Sequence, residues 1–257
     1  MFDTLRYDVD DHNIAEVTLN RPDKMNALND DLLNELAEVF KQINVEDSVK
    51  GVLVTGAGEK AFVAGADIGE LRGLKEHEGR MKSQKGQQIF QLIEDTRKPI
   101  VALVNGYALG GGAELALACH IRIATRKAVF GLPEIGLGLI PGYGGTQRLP
   151  QIVGRSKALE LILTGKKLSA EQALQLGIVN SVVPESEGRQ EAKNLMKAIL
   201  KNGPLAIERA IQAVYHSGDK GGYQTESELF GYLCSTDDAE EGTAAFLEKR
   251  TPEFRGI

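Results

Sequence analysis

Two glutamates stand where a glycine-rich turn gives way to an apolar segment. Glu114 lies in Gly110-Gly111-Gly112-Ala113-Glu114-Leu115-Ala116-Leu117-Ala118, and Glu134 in Phe130-Gly131-Leu132-Pro133-Glu134-Ile135-Gly136-Leu137-Gly138. A carboxylate in such surroundings is costly unless it has a partner or a task. Two of them offer paired acid and base chemistry on one small molecule. The glycine triplet precedes a helix whose first amides lack intrahelical partners and carry partial positive charge, so they can bind a developing oxyanion. The same triplet also reads structurally, as tight helix–strand packing. Arg122 and Arg148 are available as ion-pair partners, which would make either glutamate structural. A second small-residue loop, Ala61-Phe62-Val63-Ala64-Gly65-Ala66-Asp67-Ile68, reads either as a compact surface turn or as a source of another backbone donor. Within it, Asp67 has the chemistry of a cap for a helix over 68–74.

Other chemistries find no support. There is no GxxxxGKS/T, and Gly106 to Gly112 does not spell GxGxxG, so the familiar phosphate fingerprints are missing. The two cysteines, Cys119 and Cys234, and the four histidines at 12, 77, 120 and 216 show no metal-ligand spacing. No metal is expected, and Cys119 reads as a buried reduced thiol. A net charge of −6 and the absence of tryptophan argue against a nucleic-acid surface. No apolar run approaches the roughly eighteen residues that span a bilayer. No signal peptide is evident from Met1-Phe2-Asp3-Thr4-Leu5-Arg6, so a cytoplasmic location without membrane partners is the default expectation.

The elements that must position these residues follow from periodicity. Residues 2–19 read as a hairpin turning at 10–13, and Asn29 caps a helix carrying Leu32, Leu33, Leu36, Val39, Phe40 and Ile43. Buried strands are predicted at 52–54, 99–104 and 121–124, a loop at 59–69, and helices at 82–96 and from 113. Strand–helix alternation predicts βαβ-type units and a largely parallel sheet with helices outside. From about residue 186 the pattern changes, with helices at 187–201, 204–216, 222–234 and 237–248.

Several segments together resemble the crotonase (enoyl-CoA hydratase/isomerase) superfamily, in its order and over nearly the whole chain. They are Asn20-Arg21-Pro22 with Asn26-Ala27-Leu28, Ala64-Gly65-Ala66-Asp67-Ile68, Asn105-Gly106-Tyr107-Ala108-Leu109-Gly110-Gly111-Gly112, and Ile140-Pro141-Gly142 with Gly144-Gly145-Thr146-Gln147-Arg148-Leu149. The resemblance implies an α/β spiral of ββα units making two sheets, with residues 1–190 as the catalytic core. It implies that the helical region 191–257 builds homotrimers that commonly pair into hexamers.

By position, the resemblance makes Ala66 and Gly111 the two amides that stabilise a thioester enolate. Hydratases of the family carry glutamates where Glu114 and Glu134 stand, whereas many isomerases keep only the equivalent of Glu134. Enoyl-CoA hydration is therefore the favoured activity, with an isomerase or another crotonase-type lyase as the rival enzyme and a binding protein as the rival of another class. Glu114 would deprotonate the water and Glu134 deliver a proton to Cα, roles that the resemblance leaves interchangeable. Coenzyme A enters as part of the acyl-CoA substrate, with no separate cofactor. Its contacts are implied at Lys24, at Ala64, Asp67 and Ile68 of the 60–68 loop, and at Phe246 and Lys249 from a neighbouring subunit. Lys60 and Arg21 are weaker candidates, and Gly142 falls where the family packs backbone near the water. The acyl tunnel is expected between residues 70–90 and the C-terminal helices, with Tyr143 either in it or at the surface. Ala113 and His120 stand where Cys and Asp are frequent.

Overall fold

A computed structural model describes residues 2–257; Met1, the first residue of the N-terminal stretch, lies outside them. The chain opens with the hairpin β1 (Leu5–Val9) and β2 (Ile14–Leu19), paired antiparallel with Leu5 opposite Leu19. Helix α1 (Asp30–Val45) follows, and Asn29 caps it by accepting a 3.1 Å hydrogen bond from the Leu32 amide. All six apolar residues read as its buried stripe are fully buried.

Three turns of a spiral come next. The first is β3 (Gly51–Gly56), β4 (Ala61–Val63), a short α2 (Ile68–Leu71) and α3 (Glu76–Glu94). The second is β5 (Ile100–Val104), β6 (Tyr107–Leu109) and α4 (Gly111–Ala118). The third is β7 (Ile121–Thr125), β8 (Val129–Gly131), a 3-10 turn at Glu134–Leu137, α5 (Gly145–Val153) and α6 (Arg155–Thr164). In each turn the first strand joins one sheet and the second strand joins another. The larger sheet has the order β1-β2-β3-β5-β7-β10, parallel from β2 onward, where β10 is Ser181–Val183. The smaller has the order β4-β6-β8-β9, where β9 is Leu168–Ser169 and pairs antiparallel with β8.

The single sheet suggested by strand–helix alternation is thus two sheets, as the family resemblance implied. The 59–69 segment is not wholly loop, because Ala61–Val63 is a buried strand. Strands β4, β6 and β8 have three residues each, too few to show a period, and they are defined by pairing to chain far away in sequence. Helix α3 begins at Glu76 rather than 82, its first turns being polar.

The large sheet is covered on both faces, which is why β3 and β5 read as continuous apolar runs. On one face, Val52, Val54, Ile100 and Ala102 join the main core with α1 and α3. On the other, Leu53, Val101, Leu103 and Ile123 pack against Ala192 and Met196 of α8 (Gly188–Ile199), which is linked to β9 through α7 (Ala170–Gln175). Helices α9 (Pro204–Tyr215) and α10 (Gly222–Leu233) bury no residue, and α11 (Asp237–Glu248) buries only Asp238 and Ala245.

The two asparagine motifs, at Asn26 and Asn105, crosslink separate parts of the chain. Asn26 is fully buried and its Nδ2 donates to the Ala57 and Ala61 carbonyls at 3.0 and 2.9 Å. Asn105 Nδ2 donates to the Gly56 and Gly58 carbonyls, and its Oδ1 accepts from the Gly56 amide. Both pin the β3–β4 connection that leads into the small-residue loop.

Candidate active site

The β4–α2 loop, the start of α4, the 3-10 turn after β8 and the 141–146 segment meet around a cavity of about 460 Å³. Ala66, Gly111, Glu114, Glu134, Gly142 and Tyr143 all line it. The spiral stacks the ends of successive turns and so brings together residues as far apart in sequence as Ala66 and Thr146.

The two amides are turned to this space by backbone geometry. Leu28 and Ala66 form a parallel bridge, in which the Leu28 amide donates to the Gly65 carbonyl and the Asp67 amide to the Leu28 carbonyl, both at 2.8 Å. Alternation along an extended chain therefore points the Ala66 N–H to the opposite side. Gly111 is the first residue of α4, where an N–H has no intrahelical acceptor. Its neighbours explain why the triplet is glycine. Gly110 has φ 51° and ψ −125°, and a Cβ there would lie 2.8 Å from Glu134 Oε1. A Cβ on Gly112 would fall 2.0 Å from the Val63 carbonyl oxygen. The packing reading and the amide-donor reading of the triplet thus apply to different members of it.

Glu114 is 1% exposed. Its Oε1 accepts from the Tyr143 amide at 2.8 Å and the Gly145 amide at 2.7 Å. Burial lifts its pKa from 4.5 to about 7; the two amides and the Arg148 charge oppose the rise, and the Glu134 charge adds to it. Glu134 opens the 3-10 turn beside Gly110, and its Oε2 is buried without a hydrogen-bond partner among the described residues. Burial raises its pKa as well. The Glu134 charge is felt at Glu114, so ionising both carboxyl groups at once is disfavoured.

Neither arginine pairs with these glutamates. Arg148 Nη2 bonds Glu94 Oε2 at 2.7 Å. Arg122 is spent on main-chain carbonyls, with Nε donating to Ile178 at 2.7 Å and Nη1 to Ala116 and Cys119. His120 is tied to backbone on both sides: its Nδ1 accepts from the Ile100 amide and its Nε2 faces the Glu94 carbonyl, while burial lowers its pKa. Cys119 is a buried free thiol pushed up to about 12 by burial. Among the described residues no group of three His, Cys, Asp or Glu could hold a metal ion.

Other residues read from the sequence fall outside the cavity lining. Asp67 caps α2 by accepting from the Gly69 amide at 3.2 Å, and its Oδ2 faces Arg21 at 3.4 Å; the helix is shorter than the 68–74 expected. The Ala64 amide donates to the Met25 carbonyl, which fastens the loop to the segment bearing Lys24. Lys24, Ile68, Phe246 and Lys249 are exposed. Phe246 and Lys249 sit at the end of α11, away from this chain's own cavity.

The cavity wall expected from residues 70–90 includes Leu71, Leu74, Lys82, Ser83 and Gln87, while no C-terminal helix among the described residues contributes to it. Tyr143 is buried in that wall, not at the surface, with its ring edge-on to Phe90 at 5.6 Å. Ser83 Oγ and Gln87 Nε2 donate to the Gly142 carbonyl at 2.6 and 3.1 Å. Sequence reasoning did not single out Ser83, Gln87 or Glu94. Their signal was positional: Ser83 and Gln87 are four apart on one face of α3, and Glu94 lies four beyond Phe90 on the buried face.

The ββα spiral with its two sheets, and a cavity lined by Ala66, Gly111, Glu114 and Glu134, fit the crotonase class. The family model described as enoyl-CoA hydratase/isomerase matches residues 10–256, and the chain belongs to that family. Similar proteins include the short-chain-enoyl-CoA hydratase of Clostridium acetobutylicum, 46% identical over 244 residues that cover 93% of each chain. The crotonyl-CoA hydratase of Syntrophomonas wolfei is 44% identical over 246 residues, 94% of each chain. Among solved structures, an enoyl-CoA hydratase from Bacillus anthracis matches with a TM-score of 0.94 at 40% identity, covering 99% of this chain and 100% of that one.

Proposed function

We propose that this protein is an enoyl-CoA hydratase, adding water reversibly across the double bond of a 2-enoyl-CoA to give a 3-hydroxyacyl-CoA. The observation that carries the reading is the convergence of Glu114, Glu134 and the backbone at Ala66 and Gly111 on one cavity. The two N–H groups take the thioester oxygen and stabilise the charge that grows on it; donors of this kind are worth about 3 kcal/mol each. Water adds through its oxygen to Cβ and gives up one proton to a carboxylate, while the other carboxyl group protonates Cα.

Hydrogen bonding supports Glu114 as the carboxylate. Its Oε1 is already taken by two amides, which favours the ionised form and leaves Oε2 to accept from water. Glu134 has a buried Oε2 with no donor aimed at it, the surroundings of a carboxylic acid. The chemistry draws on no cofactor beyond the coenzyme A of the substrate. We assign Lys24, Ala64, Asp67 and Ile68 to the CoA moiety; the Ala64 amide bond to the Met25 carbonyl and the Arg21–Asp67 ion pair support this by holding the two segments together.

Trimer or hexamer formation is part of the same proposal. It is supported by apolar side chains left open on the tail, including Tyr223 at 91%, Phe230 at 68% and Leu247 at 80% exposure. In such an assembly Phe246 and Lys249 reach the nucleotide of a neighbouring subunit. No helix among the described residues is long and apolar enough to cross a membrane, and the two cysteines are free, as a reducing cytoplasm would leave them.

The test is loss of the conjugated enoyl-thioester absorbance when purified protein meets crotonyl-CoA, followed by a chain-length series. Two relatives named for short chains make crotonyl-CoA the first substrate to try. No turnover at any chain length would contradict the reading.

A further inference from the structure

Behind the cavity lies a buried ion pair that the reaction itself does not use. Glu94 ends α3 and Arg148 lies in α5; they are 9% and 7% exposed. Arg148 Nε and Nη2 both donate to Glu94 Oε2, at 3.1 and 2.7 Å. The remaining arm, Nη1, donates to the Tyr143 carbonyl at 3.1 Å, and the Arg148 amide donates to the Gly144 carbonyl at 2.9 Å. Gly144 has φ 111°, and a Cβ there would lie 2.2 Å from Arg148 Nη1, so the turn rests directly on the guanidinium. The same turn sends its Tyr143 and Gly145 amides to Glu114 Oε1. The arginine therefore grips the carbonyl side of a three-residue turn whose N–H side grips the glutamate.

We propose that Arg148, locked by Glu94, is a positioning residue for Glu114. It fixes the Tyr143–Gly145 turn so that two N–H groups hold Oε1, and Oε2 alone faces the reacting atoms. A buried ion pair is a poor source of stability, since apolar residues of similar volume often do as well or better. Its planar fork, by contrast, can bond a carboxylate and a carbonyl at once in fixed directions, which a lysine cannot reproduce. The charged and titratable groups facing Glu114 are Glu134 across the cavity, Arg148 behind the turn and the Tyr143 phenol. Arg148 is the only cation of the three.

The activity readout rests on the hydratase reading; a second readout does not. Steady-state crotonyl-CoA hydration and thermal melting are measured for Arg148→Met and for the apolar double variant Glu94→Leu/Arg148→Met. Infrared difference titration, using Glu114→Gln to assign the carboxyl band, follows Glu114 in wild type and double variant. The expected results are a kcat about 100-fold lower in both variants, from misplacement of the base, with KM within about threefold. The double variant melts near wild type, yet its Glu114 band titrates at higher pH because the cation and the fixed amides are gone. Should Arg148→Met fail to fold, the double variant carries the test. Wild-type kcat together with an unmoved Glu114 titration in a folded double variant would overturn the proposal and leave the pair as packing. If wild type turns over no enoyl-CoA, the hydratase reading fails separately and the infrared titration still decides the role of Arg148.

Discussion

Glu114→Gln should make the protein more stable above pH 7 while disabling it. Burial lifts the carboxyl from 4.5 to about 7, so the folded chain binds a proton there that the unfolded chain has released across that window. Folded-state stability attached to this group is therefore complete below about pH 4.5 and is lost as pH rises toward 7. At about 1.4 kcal/mol per pH unit, the loss amounts to about 3 kcal/mol at pH 8. Glutamine keeps an acceptor for the Tyr143 and Gly145 amides but carries no charge to desolvate, so it escapes this cost. For a chain of this size the variant should melt roughly 5–10 °C above wild type at pH 8, with the gap closing toward pH 5. The assay is paired thermal melting by circular dichroism across that range. Equal melting temperatures at every pH, or a variant less stable at pH 8, would refute the claim that an under-compensated buried carboxyl sits at this position.

The glycine triplet should separate into packing and chemistry. Gly112→Ala places a Cβ 2.0 Å from a main-chain oxygen and should destabilise the fold by about 3 kcal/mol, read by urea denaturation. Gly110→Ala meets the Glu134 carboxylate at 2.8 Å and a positive φ; in the fraction that folds, kcat should fall about 100-fold through displacement of the acid. Of the two thiols, buried Cys119 and exposed Cys234, one should react rapidly with an aromatic disulfide reagent at pH 8 and the second only in denaturant.

Much of the fold was legible because its signals are local. The β1–β2 hairpin, capped helix α1 and the four C-terminal helices carry their period and their turn residues inside their own segments. Strands β4, β6 and β8 do not: three residues show no alternation, and only tertiary pairing makes them a sheet. Glu114 and Glu134 stood out because a carboxylate beside glycines in apolar sequence is a conflict that folding must resolve. The partner of Arg148 was not legible in the same way. Glu114 and Glu134 were the partners that the sequence suggested, and choosing Glu94 requires knowing that the end of α3 meets α5, a relation with no trace at sequence spacing. The oxyanion amides belong to the same class, since an N–H is oriented by the backbone whatever the side chain is.

The central claim is that Glu114 and Glu134 act together on one water molecule. The most direct measurement is the rate of crotonyl-CoA hydration for wild type, Glu114→Gln, Glu134→Gln and the double variant. Each single change should lower kcat by about 10²–10⁴ with binding of CoA retained, and the double variant should be little slower than the worse single one, as expected of residues that work as a unit. Wild-type rates in either single variant, or losses that simply multiply in the double variant, would contradict it.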